Sequence, residues 1–134
     1  EDINIKTEKE YTFKINQKLT IEVRLEIPKG YNIYVSPVSD ESFSYFTKIN
    51  IIDPDKNFKI LKVKNPKGQK NGTDTILKKK GSYFIDIINT KEIPLSLTKV
   101  DLVIEVEAQM CNYKSGLCYP PKKYQKSIVL NIEK

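Results

Sequence analysis

The chain has 134 residues, enough for one domain with its own core, and no run approaches the roughly 18 apolar residues of a membrane span. Its net charge is +6, yet only one of its 23 basic residues, Arg24, is an arginine. With the lysines scattered among acids, the composition argues against nucleic-acid readout, which favours clustered arginine. There is no histidine anywhere, which excludes histidine as a catalytic base or metal ligand.

The start, Glu1-Asp2-Ile3, lacks a basic–apolar leader pattern, as expected of a segment already removed or never present. From there, period-two alternation dominates. A first strand is expected over 11–15. Over 19–27, Leu19, Ile21, Val23, Leu25 and Ile27 alternate with Thr20, Glu22, Arg24 and Glu26, the pattern of a half-buried strand. Pro28-Lys29-Gly30 turns the chain into a strand over 31–36. Strands follow at 48–52 and 58–64, with turn signals at Asp53-Pro54-Asp55, Asn65-Pro66-Lys67-Gly68 and Asn71-Gly72. Asn71-Gly72-Thr73 also fits a glycosylation sequon, but a turn is the better reading. Lys78-Lys79-Lys80 is expected in a solvated loop, with an electrostatic patch for an acidic partner as the alternative. The remaining strands are expected over 82–88, 93–97, 99–109 and 124–132.

No segment holds helical apolar spacing over three turns. Eight to ten short strands with regular turns predict an all-β fold, an immunoglobulin-like antiparallel β-sandwich, with residues 1–134 as a single domain. The inter-sheet disulfide of immunoglobulins is excluded, because the two cysteines lie seven positions apart and there is no tryptophan.

Those cysteines form the segment Cys111-Asn-Tyr-Lys-Ser-Gly-Leu-Cys118-Tyr-Pro-Pro between the two longest strands. Across such a hairpin, Cα separations of about 5.5 Å suit a disulfide. Gly116 frees the turn, Tyr119 is pushed towards an extended conformation by Pro120, and the diproline interrupts pairing beside Cys118. Three readings stay open. A structural staple closing this short loop would contribute roughly 2.5 kcal/mol. A metal site is poorly supported: zinc wants four ligands, and a two-coordinate Cu(I) site would have only Met110 to help. The third reading is a redox-active pair.

The segments Glu107-Ala-Gln-Met-Cys111 and Gly116-Leu-Cys118-Tyr-Pro-Pro121 resemble the active-site hairpin of the N-terminal periplasmic domain of the thiol:disulfide interchange protein DsbD. Pro28-Lys-Gly-Tyr-Asn-Ile-Tyr34 is similar to that family's Gly-Tyr-x-Leu-Tyr stretch, and Pro66-Lys-Gly68 is a weaker match. The resemblance implies an immunoglobulin-like sandwich and a periplasmic dithiol–disulfide relay without cofactor or metal. Its partners would be thioredoxin-fold redox proteins, with no nucleic acid, and a membrane only through a further region of the protein. Cys111 and Cys118 would be catalytic, with Cys118 facing the partner and Cys111 resolving the mixed disulfide. Tyr31 and Tyr34 would line the site, and Tyr113, Tyr119 and Pro120 would form its rim. The chain departs from the family in having six residues between the cysteines instead of five. It also has Asp74, Ile76 and Leu77 where the family's cap places an aromatic; either an aliphatic shield or the start of the next strand is expected there. With no helix N-terminus to acidify either thiol, and only Lys114, Lys122 and Lys123 to assist, the relay would be passive. The competing class is a structural or ligand-binding sandwich with an inert hairpin disulfide.

Overall fold

The computed structural model describes residues 2–40 and 42–134. Among these residues twelve strands follow one another: β1 (Asn4–Lys6), β2 (Glu10–Lys14), β3 (Leu19–Glu26), β4 (Tyr31–Pro37), β5 (Lys48–Ile52), β6 (Phe58–Lys64), β7 (Gln69–Asn71), β8 (Asp74–Lys78), β9 (Lys80–Asn89), β10 (Lys99–Ala108), β11 (Cys111–Asn112) and β12 (Lys122–Glu133). Among the described residues there is no helix, and none is long and apolar enough to cross a membrane. The fold is all-β and immunoglobulin-like.

Three four-stranded sheets run β1-β3-β9-β6, β2-β12-β10-β5 and β11-β4-β8-β7. Among the described residues the strands pair antiparallel except for β2, which lies parallel to β12, and an isolated bridge between Tyr34 and Phe46 is also parallel. Alternation decides which side of each strand is dry. In the first sheet Ile21 pairs with Ile85 and Val23 with Tyr83, and all four are buried. In the second, Leu102 faces Ile128 in the same way. These faces join Ile33, Val35 and Leu77 of the third sheet in one core cluster. Phe13 from the second sheet meets Phe58 from the first edge to face, with ring centres 4.9 Å apart, a favoured aromatic geometry that ties the two layers.

The structure corrects several sequence expectations. Residues 93–97 form a turn closed by the Leu97 N–H donating to the Pro94 carbonyl at 3.0 Å. Pro94 has no N–H for a ladder, and the apolar signal there reflects Ile93 plugging the core. Strands β1 and β7, three residues each, are too short to show a period. The lysine run is not a loop: Lys78 ends β8, Lys80 opens β9, and Lys79 alone makes the turn with φ 63°.

Candidate functional site

Strand β10 delivers Ala108 into the core, and Met110 and Cys111 stay buried behind it. At β11 the chain leaves the β10 ladder and pairs with β4, setting Cys111 opposite Asn32 and Asn112 opposite Tyr31. Asn112 then organises the loop. Its side-chain oxygen accepts the backbone N–H groups of Lys114 at 2.9 Å and Ser115 at 3.0 Å, an Asx turn. Gly116, at φ 76°, donates to the Asn112 carbonyl at 2.8 Å; a left-handed residue suits glycine, which has no Cβ to clash.

Cys118 comes back against Cys111, and the two form a disulfide. The flanking bonds run from Asn112 N–H to Leu117 O (2.8 Å) and from Tyr119 N–H to Met110 O (3.0 Å). They make the cysteines a non-hydrogen-bonded antiparallel pair, the type in which strands approach most closely. Their Cα atoms are accordingly 4.0 Å apart, closer than the separation expected from a generic hairpin. The environments of the two sulfurs differ sharply. Cys111 is 1% exposed, whereas Cys118 is open to solvent.

Aromatic side chains gather around the hairpin. Tyr31 and Tyr119 stack at a tilt, with ring centres 5.9 Å and hydroxyls 3.4 Å apart. The Tyr113 N–H donates to the Gly30 carbonyl at 3.3 Å, and the Lys78 ammonium sits 4.1 Å from the centre of the Tyr113 ring, a cation–π contact. On the diproline side, Tyr119 and Pro120 border a cavity of 260 Å³ with Met110 and Tyr124. At its edge Asp2 accepts from the Lys122 ammonium and the Tyr124 hydroxyl. Desolvation works to raise the Asp2 carboxyl, but these hydrogen bonds together hold it below its ordinary value. Burial, and then Asp2, push the Tyr124 phenol up.

The other expected site residues lie further along the same sheet. The Tyr34 carbonyl accepts both the N–H and the hydroxyl of Thr47, and Tyr34 bridges to Phe46. Ile76 pairs with Tyr34 on the face that also carries Asn32 and Cys111, while Leu77 pairs with Ile33 and turns into the core. Both are buried within β8. Asp74, also buried, accepts from the hydroxyls of Ser42 and Ser44 and so ties that segment to the start of β8.

Two neighbours of the disulfide were not foreseen from sequence. Asn32 is 2% exposed and its amide nitrogen has no hydrogen-bond partner among the described residues. Lys78 lies beyond it in the same row, because Asn32 pairs with Lys78 on one side and Cys111 on the other. Neither carries a local signal; both are placed by pairing across many tens of residues. Among the described residues no three acidic or cysteine side chains cluster as a metal site.

These features define a class: an immunoglobulin-like β-sandwich with a disulfide at a sheet end, one sulfur buried and the other exposed beside an aromatic rim. The chain belongs to the family of the thiol:disulfide interchange protein DsbD, N-terminal, whose model matches residues 4–130. That is a family of periplasmic thiol–disulfide exchange domains. No curated protein matches the chain. Among solved structures it is similar to murine CRIg (14% identity, 100% of both chains covered, TM-score 0.43). It is also similar to AggA, the major subunit of aggregative adherence fimbriae type I from Escherichia coli (13% identity, 98% of this chain and 95% of that one, TM-score 0.45). A third is the CooA pilin subunit from enterotoxigenic Escherichia coli (10% identity, 98% and 99% covered, TM-score 0.30).

Proposed function

We propose that residues 1–134 act as a single exchange domain of the cell envelope, in which the Cys111–Cys118 disulfide is reversibly reduced and reoxidised by thioredoxin-fold partners. The observation that carries this reading is the asymmetry of the pair: Cys118 exposed, Cys111 buried. A donor thiolate attacks the Cys118 sulfur in line with the bridge. The S–S bond breaks, Cys111 leaves with the electron pair and takes up a proton, and a mixed disulfide remains on Cys118. A second donor thiolate displaces Cys118, so the donor is oxidised to a disulfide and this domain holds two thiols. In the forward step Cys118, as thiolate, attacks an acceptor disulfide, and Cys111 resolves the adduct and restores the bridge. No cofactor or metal enters the balance.

Among the described residues no helix N-terminus faces either sulfur, so the activated thiolate comes from the donor. Tyr31, Tyr113, Tyr119 and Pro120 supply a rim against which a partner packs. Ile76, on the face it shares with Cys111, contributes shielding from within a strand, with Leu77 and Asp74 anchoring that strand and Tyr34 backing it. The deciding measurement is the reduction potential of the pair in the folded domain, by equilibration with glutathione. A relay is expected in the range of thiol-exchange carriers, roughly −120 to −270 mV; a value well below about −300 mV would mark an inert staple in a binding or structural module.

A further inference from the structure

The lysine run Lys78-Lys79-Lys80 returns beside the site. With Lys29 it rims a groove of 440 Å³ whose walls include Tyr31 and Tyr113, the two aromatics that contact the cysteine hairpin from β4 and from within its loop. The groove therefore shares two wall residues with the surroundings of the cysteine hairpin. Its charge is one-sided. Four lysines face one acid, Glu26, and that carboxylate is already engaged by Lys6 at 3.2 Å and Arg24 at 3.8 Å. Among the described residues no carboxylate lies within ion-pairing distance of Lys29, Lys78, Lys79 or Lys80.

The backbone holds these cations in place. Lys79 sits in the left-handed region at φ 63°, where a residue with a Cβ costs energy and glycine or asparagine would be easier. Its carbonyl is tied to the Ile27 N–H at 2.6 Å, which fixes the turn against the groove wall. Lys78 is held over Tyr113. A basic, partly aromatic recess whose one lining acid among the described residues, Glu26, is already paired raises the local concentration of anions and speeds their association.

We infer that this groove docks an acidic, extended segment of the redox partner, lying close in sequence or space to the partner's reactive cysteine. The inference rests on the relay reading and names the chemistry that selects the partner. The docked segment lays its carboxylates among Lys29, Lys79 and Lys80 and brings the attacking thiolate to Cys118.

The test compares two hexapeptide reductants, Cys-Gly-Asp-Glu-Asp-Glu and its uncharged counterpart Cys-Gly-Asn-Gln-Asn-Gln, acting on the oxidised domain, with thiols trapped by rapid alkylation. At an ionic strength of about 0.01 M the acidic peptide should reduce the bridge about tenfold faster than the neutral one. The ratio should fall towards one in about 1 M salt, and to one or below in a Lys29→Glu/Lys79→Glu/Lys80→Glu variant, whose three sites are solvent-exposed. A ratio of one in the unaltered protein at low salt, or a ratio unmoved by the variant, overturns the docking proposal while leaving the relay standing. A cysteine-free Gly-Asp-Glu-Asp-Glu peptide, followed by NMR shifts at Tyr31 and Tyr113, separates the two claims. Binding there without exchange by either thiol peptide keeps the groove and removes the relay; neither binding nor exchange removes both.

Discussion

Cys111 is held on every side that matters: by β4 through Asn32, by the hairpin ladder through Asn112, and by a surface that leaves it 1% exposed. Among the described residues the backbone of Cys118 is paired only through an isolated bridge to Cys111, followed by residues whose two prolines donate no hydrogen bond. Access, and not intrinsic acidity, therefore assigns the roles. In a Cys111→Ser variant the remaining thiol at Cys118 should accumulate a stable mixed disulfide with a thioredoxin-fold partner whose resolving cysteine is removed, read by mass spectrometry. The reciprocal Cys118→Ser variant should trap roughly a hundredfold less, since a buried sulfur must first be uncovered by local opening of about 2.7 kcal/mol. Equal trapping by both variants would remove the assignment, and trapping at Cys111 instead of Cys118 would reverse it. At the same scale, Asn32 shows what sequence reading missed. Its buried amide nitrogen has no hydrogen-bond partner among the described residues, and only the β4–β11 register reveals that it faces Cys111.

The hairpin was legible as an element because its cues are local: two alternating strands, Gly116, and a diproline. Even its departure from expectation is local in origin, since the hydrogen bonds on either side of the cysteines select the narrow pair and bring their Cα atoms to 4.0 Å. The β7–β8 hairpin was legible only at its turn, Asn71-Gly72, and not in its strands. Asp74, Ile76 and Leu77 stand where a cap was expected, and the alternation of β8 is hidden because both faces of the strand are covered: Ile76 and Leu77 are consecutive and both buried. A strand buried on two sides shows no period. The 93–97 segment failed in the opposite sense: Ile93 plugs the core from a turn while Leu95 stands in solvent. The cysteine hairpin lies outside the main core cluster, which includes Met110 but not Cys111. Replacing both cysteines by serine should therefore leave an all-β domain by circular dichroism, less stable by about 2.5 kcal/mol in the chain-entropy account, and with no thiol exchange. Loss of the folded state in that variant would make the bridge a requirement of the fold.

For the molecule as a whole, composition and alternation were enough to indicate a β-sandwich, because each long strand presents one dry face that must be buried against another sheet. What they left open was which strands share a sheet, and hence that the lysine run, Gly30 and the cysteine loop converge at one end. That information resides in long-range register, for which sequence spacing has no counterpart. The sandwich interior also carries one titratable group whose effect is global. Tyr83, 1% exposed and opposite Val23, has its phenol pushed up to about 12 by burial, with the Thr47 side chain pulling weakly the other way. Because the folded value lies above the unfolded one, near 10, the stability tied to the neutral phenol is fully present below about pH 10 and is lost as pH rises through about 12. At about pH 11 the loss amounts to ~1.4 kcal/mol, one unit of differential protonation. Tyr83→Phe keeps the ring and removes the titration. Urea unfolding should place the variant within about 1 kcal/mol of the parent at pH 7, then show it gaining ~1.4 kcal/mol on the parent between about pH 9 and pH 11. Tyr124, whose phenol is also raised, is present in both proteins and cancels in that difference. A gap between the two that stays constant over this range would mean that the Tyr83 hydroxyl reaches water, and that the interior between the sheets is less closed than its packing implies.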